Sequence, residues 1–244
     1  MIYLRSFLFE LSFYTWMTLL VLAACIGGIF YQPSPVACGR AWDWGTRLLL
    51  RVLCGISIEI RGHHNLPGGA CIVASKHQST LESVTFFRLL ENPVFTMKAE
   101  VARLPLMGYS IRRAGSISVD RSAGASALRK LIKAAKEAFE KDAQVLIFPE
   151  GTRTQPRTRG KFNPGAAAIY SRSDVPVVPV ALNTGSFWAR RTLRKNPGRV
   201  IIEFLPPIEP GMERKAFQEL LENTIEEATE KLELESPGPQ SAVS

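Results

Sequence analysis

The sequence predicts an α/β fold, a mixed and largely parallel sheet flanked by helices, with a membrane helix at the N-terminus. Three observations carry this. From residue 56 onward, short apolar runs of strand length alternate with segments of helical period, the pattern of a sheet sandwiched by helices. No charged side chain occurs between Leu11 and Phe30. The 244 residues are 46% hydrophobic and 21% charged, which suits one buried core and excludes a disordered chain.

The uncharged run would span roughly 30 Å as a helix, the thickness of a hydrocarbon core. Tyr14 and Trp16 near one end and Tyr31 at the other suit an interfacial belt, and Glu10 bounds the run. Leu22-Ala23-Ala24-Cys25 resembles a lipoprotein cleavage site, but the n-region holds only Arg5, Glu10 follows it, and apolar residues continue past Cys25. Arg40, Arg47 and Arg51 then place the main domain in the cytoplasm by the positive-inside rule. A re-entrant helix pair in one leaflet, with Trp42, Trp44 and Leu48 to Leu50 on the surface, fits the same residues. The division expected is an anchor over 1–54, a main folded domain over 55–235 and a disordered tail over 236–244.

Ile56, Ile58 and Ile60 alternate as a strand, and residues 62–69 form a turn. Residues 70–74 read as a strand covered on both faces. A helix over 79–90, a strand over 94–97 and a short strand at Ile117 and Val119 follow. Leu128, Leu131, Ile132, Ala135 and Phe139 keep helical spacing, with lysines elsewhere on the wheel. Residues 145–148 are a buried strand, 153–161 a basic loop, and a small helix starts near Pro164. Two prolines in 175–182 argue for an edge or irregular strand. A strand over 200–205 and an amphipathic helix over 213–234, with Phe217, Leu220, Leu221, Ile225 and Leu232 on one side, complete the series.

Thirty basic against 22 acidic residues leave a net charge of +8, which favours anionic partners. Aromatic residues do not interleave with the basic runs as a base-stacking surface requires, so nucleic acid is not the expected partner. The cysteines Cys25, Cys38, Cys54 and Cys71 form no C-x-x-C pair and suit a reducing compartment. His63 and His64 sit in a turn, so no metal site with His77 is expected.

His77 follows the strand of residues 70–74, at the strand end where open α/β sheets place their ligands. Glu82 lies about 140° away on a continuous helix, so the two meet only if His77 precedes the helix and Glu82 is in its first turn. Ser79-x-x-Glu82 is equally a capping box, with Ser79 as N-cap. A second strand ends in Phe148-Pro-Glu-Gly-Thr-Arg153, where Gly151 allows close backbone approach and Arg153 can grip a phosphate. The plain alternative is a solvated basic turn. Gly115 to Arg121 likewise ends a strand in a cation.

These blocks resemble, in order, those of the glycerolipid acyltransferases, specifically the bacterial 1-acyl-sn-glycerol-3-phosphate acyltransferases. They are His77 to Glu82, Gly115 to Arg121, Phe148 to Arg153 and Val175 to Val180; Arg61-Gly62, Asn65-Leu66-Pro67 and Lys98-x-Glu100 are also similar. The departure is Glu82, where most of the family has Asp. The resemblance implies transfer of an acyl chain from acyl-CoA or acyl carrier protein to the sn-2 hydroxyl of 1-acyl-glycerol-3-phosphate, with no cofactor or metal. His77 would be the base and Glu82 its orienting acid. Arg121 and Arg153 would hold the acceptor phosphate, with Lys98 and Lys161 as weaker candidates, while Glu150, Gly151 and Thr152 shape the acceptor pocket. Arg190, Arg191, Arg194, Lys195 and Arg199 would meet anionic lipid or donor phosphates. The implied setting is the bacterial inner membrane. Two other readings are an acyltransferase for another lysolipid, such as lyso-ornithine lipid, and a membrane-tethered binder of anions.

Overall fold

Seven strands make one sheet in the computed structural model, which describes residues 1–30, 35–102, 115–120 and 123–238, apart from the side chains of 24–30, 101 and 102. They are β1 (Ile56–Arg61), β2 (Cys71–Ser75), β3 (Pro93–Lys98), β4 (Ile117–Val119), β5 (Gln144–Ile147), β6 (Val177–Leu182) and β7 (Gly198–Phe204). Their order is β1-β7-β6-β2-β5-β3-β4, and every neighbouring pair is parallel except β6 with β7. The helices are α1 (Ile2–Phe30), α2 (Pro35–Leu49), α3 (Leu81–Leu89), α4 (Ala99–Ala102), α5 (Gly124–Phe139), α6 (Gly165–Tyr170) and α7 (Arg214–Glu235). The expected mixed, largely parallel sheet flanked by helices is what forms.

The period of two in the strands decides what each face carries. Cys71 and Val73 of β2 pack with Leu81 and Phe86 of α3 and with Phe9 and Phe13 of α1. Ile72 and Ala74 pack on the other face with Leu131 and Ala135 of α5 and with Phe217, Leu221 and Ile225 of α7. All five β2 residues are buried, which explains its unbroken apolar reading. Each large side chain so buried contributes about 1.5–3 kcal/mol.

The proline-rich strand is not an edge. β6 lies centrally, between β7 and β2. Pro179 is tolerated because the antiparallel ladder to β7 begins at Val180↔Phe204, so its missing N–H costs a bond only at the end of that ladder. Its carbonyl still accepts from Leu205 N at 2.9 Å. Three smaller expectations also change. α3 starts at Leu81, with Thr80 rather than Ser79 at the N-cap. Leu220 is 40% exposed, off the buried stripe of α7. Ser236, expected in a disordered tail, donates to the Arg199 carbonyl at 2.8 Å, and residues 239–244 lie outside the described part.

α1 is long and apolar enough to cross a membrane, yet its first turns are fastened to the sheet domain. Ser6, Phe9 and Phe13 are buried. Lys195 Nζ donates to Glu10 Oε1 at 2.6 Å, Lys195 N donates to Ser6 Oγ at 2.9 Å, and Arg5 donates to the Leu53 carbonyl. Phe9 and Phe13 meet the Trp188 ring edge-on at 5.0 and 5.3 Å. The opposite face shows Leu4, Phe7, Leu8, Leu11 and Tyr14 to solvent, and Trp44, Leu48 and Val52 extend the exposed apolar surface. Of the surface residues expected for a leaflet-bound pair, Leu50 is instead buried and Trp42 packs against Phe13.

Candidate active site

Past Ser75 the chain leaves β2 without entering a helix until Leu81, and this stretch solves the offset between His77 and Glu82. His77 stands before the helix and Glu82 in its first turn, with His77 Nδ1 and Glu82 Oε1 2.8 Å apart. The same oxygen accepts Gln78 N at 2.7 Å and Ser79 N at 2.6 Å, and Glu82 Oε2 accepts Thr184 Oγ1 at 2.8 Å. Capping and orienting, alternatives in the sequence, are thus two tasks of one carboxylate. Glu82 is wholly buried, while His77 keeps 14% of its side chain exposed. With Nδ1–H donated to the carboxylate, the lone pair of Nε2 is free for a proton from outside.

The imidazole is held on its other sides too. It stacks on Phe148 with centroids 4.0 Å apart and planes at 18°. Its backbone N–H donates to Glu150 Oε1 at 3.2 Å, and its carbonyl accepts both Thr154 N at 2.8 Å and Thr154 Oγ1 at 3.1 Å. The Phe148–Arg153 block therefore buttresses His77 as well as presenting a cation. Gly151 turns the block at φ +68°, a conformation that favours glycine.

A cavity of about 1020 Å³ lies against His77. Lys98, Gly151, Thr152 and Arg153 line it together with His77, as do Arg190 and Arg191. Its apolar wall includes Met17 and Leu20 of α1, Trp42 of α2, Phe87 of α3 and Leu128 of α5. Among the described residues, neither Arg153 nor Arg190 has a carboxylate partner; Arg190 Nη1 instead contacts Thr152 Oγ1 and the Arg153 carbonyl, each at 3.4 Å. Two expected pocket residues are elsewhere. Glu150 is buried behind His77, 3.5 Å from Lys76 Nζ, because a carboxylate this deep goes to a cation and an N–H. Lys161 is exposed and outside the cavity lining, since its neighbours Arg159 and Gly160 tie that end of the loop to Glu230 and Glu226 of α7. Arg121 lies outside the described residues. Thr184 and the α7 carboxylates were missed: nothing in the order of residues marks Thr184, whereas a lysine in a buried strand end demands a distant acid.

Burial, partly offset by Lys76, raises the Glu150 pKa from 4.5 to about 7. The folded state therefore binds this proton more tightly than the unfolded chain. Its contribution to stability is full below about pH 4.5 and is lost as pH rises through about 7, on the order of 3 kcal/mol in all. Glu150→Gln keeps an acceptor for His77 N and removes the titration. Denaturation midpoints at about pH 5 and about pH 8 should differ less in the variant than in the wild type. Equal differences would mean that Glu150 is ionised throughout.

Comparison with known proteins shows the family and the fold. The Acyltransferase family model matches residues 57–183. A 1-acyl-sn-glycerol-3-phosphate acyltransferase of Pseudomonas aeruginosa is 36% identical over 173 residues, 70% of this chain and 67% of that protein. The 1-acyl-sn-glycerol-3-phosphate acyltransferase alpha of Mus musculus is 28% identical over 215 residues, 83% of this chain and 72% of its own. The crystal structure of the 1-acyl-sn-glycerophosphate (LPA) acyltransferase from Thermotoga maritima shares the fold, with a TM-score of 0.75 at 21% identity, covering 96% of this chain and 98% of that one. The resemblance carried by the four blocks holds: this chain belongs to the 1-acyl-sn-glycerol-3-phosphate acyltransferase family.

Proposed function

We propose that the chain transfers an acyl group from a thioester, acyl-CoA or acyl carrier protein, to the sn-2 hydroxyl of 1-acyl-glycerol-3-phosphate, giving phosphatidic acid. The observation that carries this is the His77–Glu82 pair at the wall of an apolar cavity that also holds Arg153 and Lys98. Nε2 of His77 takes the hydroxyl proton as the oxygen attacks the thioester carbonyl. The O–H bond breaks and a C–O bond forms. The C–S bond then breaks, and the imidazolium returns the proton to the leaving thiolate. Glu82 holds the ring in the needed tautomer and stabilises its charged form, as the acid of a Ser-His-Asp triad does. The scheme uses the chain's own groups and the donor alone, without a metal or cofactor.

Arg153 and Lys98 are suited to the acceptor phosphate, and Arg190 with Arg191 to the donor's phosphates. The cavity is at the top of the roughly 300–1,000 Å³ range of small-molecule sites and has room for a lipid chain. Met17, Leu20 and Val21 of α1 line it while Leu19 and Leu22 of the same turns are exposed. The cavity therefore lies directly beneath the exposed apolar surface of α1 and α2. We read that surface as seated in the cytoplasmic leaflet of a bacterial inner membrane, since the Glu10–Lys195 link keeps the start of α1 on the domain's side. An acyl chain then reaches His77 without crossing water, which would cost about 0.8 kcal/mol per CH₂.

One experiment tests both parts. Purified protein is mixed with vesicles carrying lysophosphatidic acid and a thioester donor; co-sedimentation and thiol release are followed together. Bound protein with acceptor-dependent release is expected. Release with lyso-ornithine lipid but none with lysophosphatidic acid would overturn the acceptor, and activity without vesicle binding would overturn the leaflet reading.

A further inference from the structure

The face alternation of β2 continues past its end. Cys71 and Val73 face α3, and His77 falls on that side; Ile72 and Ala74 face α7, and Lys76 and Gln78 fall on theirs. Both are fully or almost fully buried, and each ends on a carboxylate of α7. Lys76 Nζ donates to both oxygens of Glu226 at 2.7 Å, and Gln78 Nε2 donates to Glu233 Oε1 at 2.8 Å. Glu226 and Glu233 are themselves buried and two helical turns apart on one side of α7. The same carboxylates hold the segment after Arg153: Gly160 N donates to Glu226 at 3.0 Å, and Arg157 N to both oxygens of Glu233, at 3.1 and 2.9 Å. α7 lies wholly outside the matched span 57–183.

We propose that Glu226 and Glu233 are positioning residues for His77, gripping through the sheet the two side chains that flank it. The backbone of residues 76–78 is then fixed from the α7 side while Glu82 and Phe148 fix the ring from the cavity side. Lys76 carries the second half of the link, because it also approaches Glu150, the acceptor of His77 N. A displacement of the base by about 1 Å is enough to slow a reaction a hundredfold. The inference rests on the function proposed above.

Removing one partner of a buried ion pair destabilises a protein, whereas replacing both with apolar side chains of similar volume is often neutral. The test is therefore the full-length double variant Lys76→Met/Glu226→Met, assayed on vesicles with lysophosphatidic acid. The expected result is a folded protein whose thermal midpoint falls only modestly, since Gly160 N and Glu150 each lose a partner, with kcat lowered roughly ten- to a hundredfold and KM for the acceptor within about twofold. A folded variant with wild-type kcat, or a loss carried by KM alone, overturns the inference. If the double variant fails to fold, Glu226→Gln decides by the same split, since it keeps an acceptor and loses the charge. Wild type that turns over no lysophosphatidic acid refutes the proposed function instead.

Discussion

His77→Ala is expected to lower kcat for acyl transfer on the order of a thousandfold, within the 10²–10⁴ range of general-base catalysis. The substitution removes the only imidazole lining the cavity among the described residues and leaves the attacking hydroxyl without a base. The fold should persist. The backbone bonds of residue 77 to Glu150 and Thr154 do not involve the ring; what is lost locally is its stack on Phe148 and its bond to Glu82, whose carboxylate keeps Gln78 N, Ser79 N and Thr184 Oγ1 as donors. Acceptor KM should change little, because Arg153 and Lys98 are untouched. Thiol release and circular dichroism on the same preparation check this; a folded variant with near wild-type kcat would remove the base from the mechanism.

Glu82→Gln should lower kcat by about 10²-fold or more, by the loss of charge rather than of shape. An amide in that place can still accept from Gln78 N and Ser79 N, so the turn before α3 survives. It cannot stabilise an imidazolium as a carboxylate does. Glu82→Ala would be a poorer test, since it orphans buried donors and costs stability as well. Glu82→Asp should fall between wild type and Gln: the charge stays, but the oxygen that meets three donors at 2.6–2.8 Å is drawn back by one methylene. Equal rates for Gln and wild type would reduce Glu82 to a helix cap.

How far the sequence disclosed these things depends on the range of the interactions. Strand periodicity and helix spacing are local, so β1, β2, α5 and α7 were legible from Ile56, Val73, Leu131 and Phe217. The place of β6 was not, because tolerance of Pro179 depends on where a distant strand begins its ladder. His77 and Glu82 were legible because five residues separate them and only one backbone path brings them together. Glu226 and Glu233 lie among the many glutamates of an amphipathic helix, and nothing local sets them apart. Their partners Lys76 and Gln78 are about 150 residues away, and only folding reveals that the two glutamates are buried. Glu150 was misplaced for the same reason: the family resemblance implied a residue shaping the acceptor pocket, whereas in the fold its carboxylate turns to His77 N and Lys76 behind the imidazole.

The central claim is that the acceptor's own hydroxyl attacks the thioester, drawn to it by His77 and Glu82, with no acyl group ever resting on the protein. Rapid-mixing measurement of thiol release, at enzyme concentrations comparable with the donor, tests this most directly. Release should begin only when lysophosphatidic acid is present, in step with phosphatidic acid formation. A burst of thiol in the absence of acceptor, matching the amount of enzyme and lost in His77→Ala, would show an acyl-enzyme and contradict the account.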